Sequence, residues 1–212
     1  MPKTTKYDTE IKNARKEIAD FFGFHLENIE ITVAKNRTEY EKLLGRKTAD
    51  WEIGNANSNK KTILLLDPAR WKKEAPSHKL EEFPFLIKHE LIHIYTNHLS
   101  NSKTLPMWLI EGLAGVISGQ YKNSKVKYFE ANFCGKLDTL YNWNRFRNNL
   151  SAYPTAYLFT HYIIDKYGFK KIKQLIKSSS IYYSYYRFNK IVINIFGKNL
   201  TELEKEFLDV LQ

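Results

Sequence analysis

Cysteine is almost missing from this chain: Cys134 is the single one among 212 residues. No intrachain disulfide can form, which excludes the disulfide-stapled scaffolds, and nothing marks adaptation to an oxidising compartment. Glycine (9) and proline (6) are sparse, so collagen-like and low-complexity architectures are excluded as well. Long apolar runs are also lacking. The most apolar stretch, Met107 to Gly119, is interrupted by Glu111 and falls short of the roughly 20 residues that a membrane span needs. The opening MPKTTKYDTE contains no apolar segment of the signal-peptide kind. The expectation is a cytoplasmic protein with no membrane anchor and no membrane partner.

What the chain does contain is 43% hydrophobic, 15% aromatic and 26% charged residues. That is enough apolar material to bury a core and too much for disorder. Its length fits one domain or two closely packed lobes. Basic residues outnumber acidic ones 33 to 23, giving +10 and a pI near 9.4. Such a balance attracts nucleic acid, anionic membrane or acidic protein surfaces. The positive charge is mostly lysine and dispersed, and runs such as Lys170 to Lys173 and Lys122 to Lys127 read as solvated surface. Charge alone names no partner.

Apolar residues Ile11, Ala14, Ile18 and Phe21 recur at helical spacing over 8–22, with Gly23 as a stop. Ile29, Ile31 and Val33 alternate as a half-buried strand, and Asn36 can cap a short helix through Leu44. Trp51 and Ile53, then Ile63 to Leu66, read as two further strands joined by a turn-rich stretch from Gly54 to Asn59. The first third is therefore α/β. After Pro84 the spacing is helical throughout, with helices predicted over 85–98, 107–119, 154–167, 169–178, 185–196 and 200–211.

Within the first of these, His89-Glu90-Leu91-Ile92-His93 forms H-E-x-x-H. Histidines at i and i+4 lie on one helix face, so both imidazoles can converge on one Zn²⁺ ion. Glu90 sits about 100° round from His89, where it can reach a metal-held water without ligating the metal. A catalytic zinc needs a third protein ligand and one open position. His98 lies about 140° round from His93 and points away from the metal unless the helix breaks, so it reads as a helix-end or packed histidine. Glu111 is the stronger candidate, because a carboxylate inside an apolar helix is costly to bury unless paired or metal-bound. Pro106 suits the first position of its helix. Gly115, Ser118 and Gly119 share the face of Glu111, and their small size would let this helix approach the zinc helix closely.

At these residues the chain resembles the gluzincin metallopeptidases, and within them the small peptidase-MA-like proteins. HELIH at 89–93 followed by PMWLIEGLAG at 106–115 is similar to that family's H-E-x-x-H and Pro-x-Trp-Leu-x-Glu-Gly-x-Ala. YPTAYLFTHYIIDKYG at 153–168 and FGKNLTELEKEF at 196–207 resemble its later helices. The resemblance implies an α+β, zincin-like fold: a small N-terminal mixed sheet with helices, then an all-helical C-terminal lobe. It implies a single peptidase-MA-like domain over 1–212, with an α/β lobe 1–98 that includes the zinc helix and a helical lobe 99–212. It also implies one Zn²⁺ per chain held by His89, His93 and Glu111, with Glu90 as general base in peptide-bond hydrolysis. Thermolysin-like members carry an aspartate four residues after the ligand glutamate; this chain has Gly115 there.

An oxyanion needs a further donor, which gluzincins supply from a downstream helix. Tyr153, Tyr157 and His161 share one face of the predicted 154–167 helix, and Tyr153 matches the family tyrosine best. The strand 62–66 would offer an exposed edge to an extended peptide or flexible protein segment. Two other readings belong to different classes. One is a latent or inactive peptidase fold that binds a partner, with the tail 199–212 in the cleft. The other is a basic nucleic-acid-associated protein whose zinc is structural or absent. Oligomeric state is not written in the sequence.

Overall fold

A computed structural model describes residues 6–123, 152–179 and 184–211; Cys134 lies outside them. These residues form a mixed α+β structure, mostly helical, with one three-stranded mixed sheet. Internal contacts divide the chain into two units, Met1–Tyr95 and Thr96–Gln212.

In the first unit, helix α1 (Asp8–Phe22) buries Ala14, Ile18 and Phe22. It ends at Gly23, whose φ of 79° is the left-handed geometry that glycine adopts without strain. Phe21, expected to face the core, is 43% exposed, because the stripe through positions 14, 18 and 22 turns position 21 outward. Strand β1 (Glu30–Ala34) leads to α2 (Arg37–Leu44). The Asn36 side chain caps α2 by accepting the Glu39 N–H at 2.9 Å.

Strands β2 (Gly54–Asn57) and β3 (Thr62–Leu66) complete a sheet of order β1-β3-β2, with β1 parallel and β2 antiparallel to β3. Two sequence expectations are corrected here. The stretch read as a turn is itself a strand, because backbone pairing to β3 tolerates the Asn and Gly side chains that propensity disfavours. And 62–66 offers no free edge: it is the central strand, with Ile63, Leu65 and Leu66 buried, and β2 lies at the margin. A short helix α3 (Trp71–Glu74) follows, and its buried Trp71 donates Nε1–H to the Leu66 carbonyl at 3.1 Å.

Helix α4 (Phe83–Leu99) carries buried Ile87, Leu91, Ile92, Ile94 and Tyr95. Around it, Tyr95 stacks on Phe24 (5.3 Å between centroids) and its hydroxyl accepts the Leu26 N–H at 3.3 Å.

The second unit is helical among its described residues: α5 (Met107–Ser118), α6 (Ala152–Tyr167), α7 (Phe169–Ser178), α8 (Tyr185–Phe196) and α9 (Leu200–Leu211). Pro106 stands one position ahead of its expected place, as the extended residue before α5, and its carbonyl accepts the N–H groups of Leu109 and Ile110 at 3.0 Å. The core is aromatic, with Phe159 of α6 lying 5.1 Å from Trp108 and 5.4 Å from Phe207. Leu203 and Phe207 of α9 are buried, so α9 packs as a helix of this unit.

Candidate metal centre

The H-E-x-x-H residues fall in the middle of α4, with no interruption between His89 and His93. One turn of helix brings the two imidazoles together, their centroids 4.7 Å apart and their planes at 85°. α4 runs on to Leu99, and the chain then reverses through Asn101 (φ 55°) and Ser102 (φ 57°), the left-handed pair that the sequence marks as a break. Asn takes this conformation at low cost because its short polar side chain bonds locally. Helix α5 then carries Glu111 at its centre, 2% exposed.

One ligand atom from each of His89, His93 and Glu111 lies within 4.8 Å of the other two, with His89 and Glu111 buried and His93 half-buried. In a tetrahedral site with bonds of about 2.1 Å, neighbouring ligand atoms stand about 3.4 Å apart. Small rotamer changes in three side chains close that gap. Two neutral imidazoles and one carboxylate form a donor set of the right chemistry for a divalent first-row metal, and three ligands leave a position open. The residues present therefore fit a metal ion. His98, weighed as a third ligand, is exposed in the last turn of α4, as its angular position requires.

Glu90 is 6% exposed. Its carboxylate packs against β2, where a Cβ placed on Gly54 would stand 2.5 Å from Glu90 Oε1 and 2.8 Å from Leu86 Cδ1. A lone glycine in a strand marks a close approach, and that signal was present in the sequence but hidden by the turn-like Asn residues around it. Arg37 fixes the chain entering β2. Its guanidinium donates to Thr48 Oγ1 (3.0 Å), to the Asp50 and Glu74 carbonyls (2.9 Å each) and to the Glu52 carbonyl (2.5 Å). Arg46 adds an ion pair to the buried Glu52, and the Ile53 carbonyl accepts the Leu66 N–H at 2.8 Å.

Tyr40 on α2 was not singled out from sequence. Its side chain is fully buried, and among the described residues its hydroxyl has no hydrogen-bond partner. Burial pushes the Tyr40 hydroxyl far above the ordinary tyrosine range, and the negative charges of Glu90 and then Glu52 push it the same way. Tyr40 therefore stays a neutral potential donor within electrostatic reach of Glu90.

The glycine face of α5 meets α6. A Cβ at Gly112 would stand 2.0 Å from Thr160 Oγ1, and one at Gly115 would stand 2.2 Å from Tyr157 Cδ1. Gly115 was expected to ease approach to the helix of the two histidines; its space is instead filled by the Tyr157 ring. That contact leaves no room for a side chain at position 115, four residues after Glu111. Of the three candidate donors, Tyr157 lies on Gly115, Tyr153 packs edge-on against Tyr157 at 6.4 Å, and His161 stacks on Tyr121 at 4.3 Å.

No family model, no curated protein and no solved structure matches this chain.

Proposed function

We propose that this protein is a zinc-dependent peptidase of zincin-like fold and gluzincin type, acting on peptides or flexible protein segments. The observation that carries this reading is the convergence of His89, His93 and Glu111 beside the buried carboxylate of Glu90. Zinc bound there would lower the pKa of water to about 7 and polarise a carbonyl. The two imidazoles and the Glu111 carboxylate would hold the ion. Glu90, pinned at Gly54, takes a proton from water and later passes it to the leaving amine. Tyr153, with Tyr157 next to it, is the proposed hydrogen-bond donor to the oxyanion. The outer margin of β2, unpaired in the sheet of the described residues, is the place where an extended peptide could add as a further strand.

The test is metal content per chain by elemental analysis, combined with hydrolysis of an unfolded protein substrate. Wild type should hold close to one zinc, and Glu111→Ala should lose most of it. Glu90→Gln should keep the zinc and lose about 10²- to 10⁴-fold in rate, the usual worth of a general base. A wild-type protein that cannot be loaded with zinc, or a Glu90→Gln variant as fast as wild type, would sink the proposal.

A further inference from the structure

Away from the residues of the candidate metal centre, positive charge and exposed apolar surface coincide on one helix of the second unit, α8, with a lysine-bearing helix next to it. From Lys166 to Thr201 the chain has eight Lys or Arg and no Asp or Glu. Helices α7 and α8 lie in this stretch and contact each other. α7 buries Ile172, Leu175 and Ile176 and exposes Lys170 and Lys177. α8 buries Phe188, Val192 and Phe196, while Arg187 and Lys190 are exposed. The same outer face of α8 leaves Tyr186 66% and Ile193 43% exposed. Residues 186, 190 and 193 follow one another at helical spacing, and Lys190 Nζ lies 4.4 Å from the Tyr186 ring centroid.

We propose that this face of α8 docks the protein on an anionic lipid bilayer, which reverses the expectation of no membrane partner drawn from the sequence. Charge complementarity alone would admit nucleic acid, but two features favour lipid. The cations are mostly lysines, point charges on long apolar stems that lie along a headgroup layer while their ammonium groups stay in water. Ile193 can neither stack on a base nor bond to one, whereas the acyl boundary accepts it, and tyrosine settles at headgroup depth. Glu206 already pairs with Lys166 and Lys198, and Lys171 and Lys173 are half-buried, so the docking cations are the exposed Arg187 and Lys190 of α8, with Lys170 and Lys177 exposed on the neighbouring helix. This is surface binding, distinct from spanning: among the described residues no helix is long and apolar enough to cross a membrane. The inference does not rest on the metal reading.

The experiment is co-sedimentation of the full chain with vesicles of phosphatidylcholine alone and of phosphatidylcholine mixed with phosphatidylserine, at low and high salt. Binding is expected to the mixed vesicles only. Lys190→Gln and Arg187→Gln should each weaken it about five-fold, following the contribution of one surface cation, and should flatten its salt dependence. Ile193→Ser should weaken binding with the salt dependence unchanged. All three positions are exposed, so folding and any peptide hydrolysis should match wild type. Absence of binding to the mixed vesicles, equal binding to both kinds, or full binding by Ile193→Ser together with displacement by duplex DNA or RNA would overturn the proposal.

Discussion

Gly54→Ala tests the geometry at Glu90 with a single methyl group. The added Cβ would stand 2.5 Å from Glu90 Oε1, where ordinary contact begins near 3.4 Å. The backbone of β2 is held by its pairing with β3 and by the Arg37 bonds behind it, so the side-chain ends give way: Leu86 Cδ1, which the Cβ would meet at 2.8 Å, and the Glu90 carboxylate. It must retreat by about 1 Å, and misplacement of a catalytic group by that distance costs on the order of 10²-fold in rate. Stability should fall by a net of about 0–2.6 kcal/mol. Overpacking costs about 1–3 kcal/mol, and the lower entropy of the unfolded chain offsets about 0.4–1 kcal/mol of it. None of His89, His93 and Glu111 is touched, so metal content should stay at the wild-type value. The assay is hydrolysis of a quenched fluorescent peptide pool, with zinc measured on the same sample and the fold checked by thermal melting. Wild-type activity in a metal-replete variant would refute the role given to Glu90 and to its contact with β2. Loss of metal in step with activity would refute the claim that Gly54→Ala leaves the three ligands in place.

Gly115→Ala should destabilise the second unit: three Tyr157 ring atoms would lie 2.2–2.5 Å from the new Cβ, and overpacking of about 1–3 kcal/mol outweighs the roughly 1 kcal/mol that alanine gains over glycine in a helix. A melting temperature at or above wild type would contradict that packing, and Tyr157→Leu in the same chain should recover part of the loss. Glu206 supports a pH prediction. Lys198, then Tyr167 and Lys166, bond its carboxylate and lower its pKa to about 2 from 4.5. A group with a depressed folded pKa stabilises the protein above its unfolded pKa, and that contribution disappears as pH falls through the folded one. Wild type should therefore melt above Glu206→Gln at pH values over about 5, with the gap closing towards pH 2. Because the pair is partly solvated, the gap should be on the order of 1 kcal/mol. A gap that stays constant down to low pH would show that the ion pairs contribute nothing.

The legible parts of this protein are those whose information is local. Helix ends were readable because Gly23, Asn36, Asn101 and Gly197 each act within one turn of their own position, and the structure has a boundary or reversal at each. The two histidines were readable because helical spacing alone brings them together. Where the local signal conflicted with pairing, it misled: Gly54 to Asn57 has turn-like residues but forms a strand, because β3 supplies the hydrogen bonds. The same cause hid the true margin of the sheet, since no residue within β3 states whether one side or both will be paired.

By itself, then, the sequence determined the order and type of most elements, the convergence of His89 and His93, and a buried carboxylate at Glu111 that required a partner. Tertiary structure decided what each of these touches. Placement of Glu111 with the two histidines, of Gly54 and the Tyr40 hydroxyl near Glu90, and of Tyr157 on Gly115 depends on residues far apart in the chain. Such contacts are set by how whole helices and strands pack, and side-chain spacing within any one element does not encode them.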